Sequence, residues 1–323
     1  MTPLPDDARA AARRAGRGAA ALALAAWALI VVGALVRAHG AGLSCPDWPL
    51  CHGQVVPDFD ARIALEWGHR LLAGTLSLGI AALAFALLRP RELRARFARS
   101  LALVVALLGT QVVLGGLTVL LGLAPWTVTA HLVTGNALAL SLAWLARNAF
   151  DLARGGEPAP ARLSASALRT VWLACALVAL QLVLGGLVSS HSAGLACGTF
   201  PLCNGDSLAP TLSGLVGLHV LHRLNAYAVA LVFALLAWQL REGGASGRLA
   251  WTGLRLVLLQ VAIGAANVLL RLPVEVTALH SALAAGILLT TGLLAREALR
   301  AASATQESVA ATARERHALG GAR

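Results

Sequence analysis

Four histidines stand where long apolar runs begin, and two of them belong to a half-repeated motif. Glu66-Trp67-Gly68-His69-Arg70 is answered later by His219-Val220-Leu221-His222-Arg223, and His131 and His280 each open a further apolar run. Imidazole is a common metal ligand, and ionisable groups at membrane depth are costly and usually functional. The simplest chemistry four such groups share inside a membrane is axial ligation of haem. Other metals fit less well: two nitrogens per site are too few for closed zinc, and no carboxylate cluster repeats. The plainer alternative makes each histidine an interfacial residue bonded to water or a loop carbonyl, and fourfold recurrence at one depth weighs against it.

The segments that carry these residues are membrane spans. Of 323 residues, 58% are hydrophobic, and the mean hydropathy is +0.74, against roughly 45–50% apolar residues in soluble domains. A spanning helix needs about 20 apolar residues. The hydropathy pattern predicts eight, at about 19–38, 66–88, 99–121, 127–147, 168–190, 215–240, 249–270 and 275–296. Backbone groups in lipid must pair within their own segment, so helices are expected rather than a barrel.

The net charge of +11 comes from arginine alone, and it is not spread evenly. Arg9, Arg13, Arg14 and Arg17 precede the first span, and Arg89, Arg91, Arg94, Arg96 and Arg99 fill the second connection. Arg147, Arg154, Arg162 and Arg169 flank the fourth connection, Arg241 and Arg248 the sixth, and Arg296 and Arg300 the last span. This alternation predicts cytoplasmic termini and contact with membrane lipid, and excludes nucleic acid as the partner. The first span has a basic flank like that of a signal peptide, but its apolar run is too long; it reads as an uncleaved anchor.

The chain also repeats itself. Cys45 and Cys197 are 152 residues apart, as are Cys51 and Cys203; His69 and His222 are 153 apart; His131 and His280, and Gln111 and Gln260, are 149 apart. Gln111-Val-Val-Leu-Gly115-Gly116 is echoed by Gln181-Leu-Val-Leu-Gly185-Gly186. The expected fold is all-α: two tandem four-helix bundles related by a pseudo-two-fold axis along the membrane normal. The expected units are a basic tail 1–18, a first half 19–150, a linker 151–167, a second half 168–297 and a disordered tail 298–323. In each half the second and fourth helices bring two histidines face to face near the outer leaflet, His69 with His131 and His222 with His280.

The halves differ at one informative position. Glu66 lies one turn before His69, whereas its counterpart is His219. A carboxylate beside a metal centre can move protons or orient water or oxygen, so the first half is expected to do chemistry and the second to hold a resident cofactor. The alternative makes Glu66 a helix N-terminal charge favoured by the dipole. Arg70 and Arg223 suit haem propionates, or serve as interfacial anchors. Each cysteine pair, Cys45/Cys51 and Cys197/Cys203, encloses five residues in an outer loop, and disulfides closing these loops are expected there. A redox role for Cys45/Cys51 is a second possibility. Cys175, mid-span, reads as a small hydrophobe.

Taken together, these motifs resemble the haem A synthase family, over about residues 20 to 296. The resemblance rests on the two repeats, Cys45-Pro46-Asp47-Trp48-Pro49 with Cys51, Glu66-x-x-His69-Arg70, His131, the Cys197 and Cys203 loop, His222-Arg223 and His280. It implies a plasma-membrane enzyme that binds farnesylated haem O between His69 and His131, requires Glu66, and oxidises a ring methyl to a formyl group. Two successive hydroxylations and loss of water would give haem A. By the same resemblance His222 and His280 ligate a resident haem B, and the partners are a haem O synthase and an electron donor, with a homo-oligomer left open. Two other classes suit the residues: a dihaem cytochrome relaying electrons from quinol, which has no need of Glu66, and a haem carrier or transporter.

Overall fold

The computed structural model describes residues 5–155, 163–205, 207–242 and 244–320, with side chains as far as Ala304. Among them are eight long helices: α1 Asp6–Ala38, α2 Ala61–Leu88, α3 Arg91–Leu120, α4 Pro125–Ala153, α5 Ala165–Ser190, α6 Gly214–Gln239, α7 Gly244–Leu269 and α8 Val274–Gly320. Each contains a stretch long and apolar enough to cross a membrane. The all-helical membrane fold is as expected.

Helix ends follow local chemistry more than hydropathy. Asp60 accepts hydrogen bonds from Arg62 N and Ile63 N, both at 2.8 Å, and so starts α2 five residues before Glu66. Ser164 caps α5 through Ala167 N at 3.1 Å, and Pro125 occupies the first turn of α4. Glu66 therefore lies beyond the first helical turn, where the dipole acts only weakly on a charge.

Where the structure describes them, both tails are helical. From Asp6 onward the basic tail is helical and continuous with the first span. Ala and Arg are strong helix formers, and Ala8, Ala12, Ala15, Ala19, Ala23 and Ala26 form a buried stripe. That stripe lets α1 lie close along α4, its most extensive partner. At the other end, α8 continues to Gly320, where a disordered tail from residue 298 was expected. The segment is Ala-rich and has no Gly or Pro before Gly320, so nothing in it breaks the helix. Of the expected linker 151–167, residues 151–153 extend α4 and 165–167 open α5. Residues 1–4, 156–162 (with Pro158, Pro160 and Arg162) and 321–323 lie outside the described residues.

Two large apolar cores form. One combines α1 to α4 through residues such as Ala12, Ile80, Phe97 and Leu142. The other combines α5 to α8 through Val171, Phe233, Val257 and Leu294. Leu78, Phe85, Leu231 and Trp238 face outward, as lipid-facing residues of a span do. Between the cores, α1 packs on α8 and α4 packs on α5 and α8. Trp27 Nε1 donates to Ala282 O at 3.0 Å, and Trp144 Nε1 donates to Gly292 O at 2.9 Å.

Asp151 fastens this junction at the end away from the cysteine loops. Fully buried, its carboxylate meets Arg154 at 2.6 Å, Arg296 at 2.7 Å and Arg147 at 3.4 Å. Removing one member of a buried charge network is far costlier than the net worth of the pair. Asp151→Ala should therefore destabilise the protein by about 3–5 kcal/mol in thermal unfolding in detergent. Glu242→Ala, at an exposed carboxylate, should stay within about 0.5 kcal/mol of the parent.

Candidate functional site

The four imidazoles occupy matched positions. His69 and His222 stand eight residues after the first residue of α2 and α6, and His131 and His280 six residues after that of α4 and α8. Each packs its Cε1 edge against a glycine on the preceding helix: His69 on Gly33, His131 on Gly115, His222 on Gly185 and His280 on Gly264. A Cβ at any of these glycines would come within 3.2 Å of that Cε1, closer than nearly all Cβ contacts. The backbone of each odd-numbered helix thus forms one wall of an imidazole slot on the next helix.

His69 lies within electrostatic reach of His131, and His222 within reach of His280. In three of the four rings, His69, His131 and His280, Nδ1 is buried with no hydrogen-bond partner. An unsatisfied buried polar atom costs about 1–3 kcal/mol and calls for an explanation. Buried imidazoles with spare nitrogen valence have the chemistry of haem ligands. Among the described residues no cluster of three or more His, Cys, Asp or Glu could hold a bare metal ion.

Glutamines support three of these residues. Gln111 Nε2 lies 3.1 Å from His131 Nε2. Gln181 Nε2 lies 3.2 Å from His222 Nδ1 and donates to His222 O at 3.1 Å. Gln260 Nε2 donates to His280 O at 3.0 Å.

Over each pair lies a disulfide-closed loop, Cys45–Cys51 or Cys197–Cys203, with Cα atoms 4.6 Å apart in both. Arg70 donates to the carbonyls of Asp47 at 2.8 Å, Leu50 at 2.6 Å and Cys45 at 2.9 Å. Arg223 does the same for Pro201 at 3.2 Å, Thr199 at 3.0 Å and Cys197 at 3.3 Å. Both guanidinium groups thus clamp their loops, with Arg223 also over the Phe200 ring. On the far rim, Leu123 and Leu272 adopt left-handed backbone at φ 59° and 61° and press on Gly42 and Gly194.

The halves diverge beneath the clamps. Glu66, 4% exposed, pairs with Arg70 at 2.6 Å and accepts from Cys45 N at 2.8 Å. In the second half His219 Nδ1 meets Ala193 O at 2.9 Å and its Nε2 meets Arg223 at 3.3 Å. A carboxylate able to carry a proton is thus fixed between the first loop and the His69 helix, and an imidazole takes its place in the second.

The loops differ in one acceptor as well. Asp47 accepts from Gly53 N at 2.8 Å and His52 N at 2.7 Å, and the Gly53 bond, with the His52 bond and nearby Arg70, holds its carboxyl below the usual carboxylate range. In the second loop the acceptor for Gly205 N is the Thr199 hydroxyl, at 3.0 Å. A depressed carboxylate stabilises above its ordinary pKa of about 4 and stops doing so as pH falls through the lower folded value. Acidification below about pH 4 should therefore speed amide hydrogen exchange at His52 and Gly53 while leaving Gly205 unchanged.

Every histidine, both arginines and both disulfides expected from sequence lie in these two constellations. The four glycines were not assigned a role by sequence, although Gly115 and Gly185 stand in the repeated Gln-x-x-x-Gly motif, and Gly33 and Gly264 follow from the 152- and 149-residue offsets.

Known proteins are similar to this chain over most of its length. The chain is 30% identical to the Heme A synthase of Shewanella oneidensis over 81% of its own length and 90% of the relative's. It is 32% identical to that of Halalkalibacterium halodurans, covering 81% and 89%, and 35% identical to that of Symbiobacterium thermophilum, covering 83% and 90%. The COX15-CtaA family of cytochrome oxidase assembly proteins matches residues 18–292, and the chain belongs to this family.

Proposed function

We propose that this protein is a haem A synthase, an integral membrane oxidoreductase that oxidises a ring methyl of haem O to a formyl group. The observation that carries the reading is the matched set of imidazole slots in the two halves, of which, among the described residues, only the half containing His69 and His131 has a buried carboxylate beside them, Glu66. Haem O is the substrate in the first half; His222 and His280 hold a resident haem B in the second. Bound there, haem B would supply one-electron redox chemistry.

The remaining work belongs to side chains. His69 and His131 fix the substrate from both faces, and the glycine walls fix the two rings. Glu66, with Arg70 at 2.6 Å, holds or releases a proton at its carboxylate as each hydroxylation proceeds. Arg70 and Arg223 serve the bound groups through the loops they hold, and each loop limits water entry. Two hydroxylations followed by loss of water give the aldehyde.

In this reading the halves are related by a pseudo-two-fold axis along the membrane normal. Support comes from the packing of α4 on α8 and from Arg37, which hydrogen-bonds Ser189, 152 residues later. The arginine pattern favours cytoplasmic termini and slots near the outer leaflet of the cell membrane. A haem O synthase and an electron donor complete the partner set.

If the first disulfide is structural, Cys45→Ser should lower the thermal midpoint and leave single-turnover oxidation in detergent intact. Closing so small a loop is worth about 2–3 kcal/mol. A stable Cys45→Ser protein that binds haem but cannot be reduced would favour the redox role. The function itself is tested by expression in cells that make haem O but cannot make haem A. An a-type oxidase spectrum should return, and a spectrum that stays purely b- and o-type would overturn the proposal.

A further inference from the structure

Arginines recur at one-turn intervals along the start of α1, at Arg9, Arg13 and Arg17, with Arg14 beside them. Like charges four residues apart on a helix repel one another, so such a row favours a counter-charge. The buried face of the same helix carries Ala8, Ala12, Ala15 and Gly16. Gly16 packs there on the Phe150 ring of α4, and a Cβ at Gly16 would come within 3.0 Å of it. This close approach brings the arginine row to the end of α4, at Ala153 and Arg154. Between them, at the end away from the disulfide loops, is a cavity of about 610 Å³ whose charged walls are Arg9, Arg13, Arg14, Arg17, Arg154 and Asp6. Pockets for small ligands run from roughly 300 to 1,000 Å³.

The protein's own carboxylates do not neutralise these walls. Arg154 is paired with Asp151 at 2.6 Å, but Asp151 is shared with Arg296 at 2.7 Å and Arg147 at 3.4 Å. Asp6 and Asp7 stand in the first turn of α1, where the helix dipole favours them. Among the described residues no ion pair engages Arg9, Arg13, Arg14 or Arg17, and Arg9 Nε is buried without a hydrogen-bond partner. A buried donor on a charged group is costly to leave unpaired.

We propose that this cavity binds a phosphate-bearing anion, with the Arg9 and Arg13 guanidinium groups as forks on its oxygens. A guanidinium fork matches two phosphate oxygens at once. Several guanidinium groups in one cavity suit an anion with two phosphate groups better than a single carboxylate. Two sources have that chemistry: the headgroup of cardiolipin, a lipid of the kind that basic pockets at the cytoplasmic ends of spans hold, and a soluble diphosphate.

The test uses the full chain in detergent and follows its thermal midpoint. Cardiolipin should raise the midpoint by a few degrees, and phosphatidylcholine should not, if the source is lipid; pyrophosphate should do so if the source is soluble. The double variant Arg9→Gln, Arg13→Gln should lose whichever shift the parent shows. Gln forms helix about as well as Arg, so the variant keeps its fold and its haem spectra. Arg14→Gln, Arg17→Gln, on the same wall, should weaken the shift. Removing the same charge elsewhere, at the exposed Arg94 and Arg96, should leave it intact in Arg94→Gln, Arg96→Gln. A shift that survives in Arg9→Gln, Arg13→Gln, or that falls as far in Arg94→Gln, Arg96→Gln, overturns the site and makes the effect one of total charge. So does no shift from either probe, or an equal shift from phosphatidylcholine. None of these outcomes bears on the haem assignment, which rests on other residues.

Discussion

Glu66→Gln gives a folded protein that binds haem and makes no haem A. The side chains are isosteric, and the amide oxygen can still accept from Cys45 N, which lies 2.8 Å from the carboxylate. Arg70 loses its ion pair but keeps three loop carbonyls, so the loop stays clamped. What disappears is the one buried carboxylate among the described residues of either slot region, and with it the proton-carrying group of the first half. Loss of such a group costs about 10²–10⁴-fold in rate. Pigment extraction after a haem O supply should therefore show haem O and haem B in Glu66→Gln, with haem A reduced by at least a hundredfold. If Glu66 were a helix-end charge instead, the variant would keep activity and lose a little stability, on the order of 0.3–1 kcal/mol.

His222→Ala should abolish the resident b-type spectrum, while His69→Ala should keep it and lose substrate binding. The backbone at residue 222 stays fixed in the variant, because Gln181 bonds the carbonyl of His222 and Asn225 bonds Gln181 Oε1 at 2.7 Å. The fold therefore survives, and loss of the spectrum reports ligation directly. Equal haem loss in His222→Ala and Glu66→Gln would refute the division of labour between the halves.

The chemistry-bearing residues were legible in the sequence because their types are rare in apolar runs and because the chain repeats them. His69 and His222 mark each other, as do the two cysteine pairs. The glycine walls were less legible: Gly33 sits among Val31, Val32, Ala34 and Leu35, and only its offset to Gly185 separates it from an ordinary small residue in a span. Arg70 and Arg223 show a different limit. Propionates and backbone carbonyls both present oxygen acceptors, and sequence alone does not reveal the loop carbonyls that both guanidinium groups hold in the structure. Hydropathy does not mark the helix ahead of the first span, because Arg13 and Arg17 count against a membrane span, whereas backbone propensity and the alanine stripe against α4 favour helix there. Asp60 moved the start of α2 by the same kind of local bond.

The most direct test of two unequal haem sites is the pigment inventory of the unmodified protein, purified in detergent after a haem O supply, extracted, and separated with mass detection. The expected result is haem B at about one per chain together with haem A or a hydroxylated haem O, one pigment for each imidazole pair. Haem B alone, at about two per chain with reversible redox spectra, would contradict it and make both slots those of an electron-transfer cytochrome.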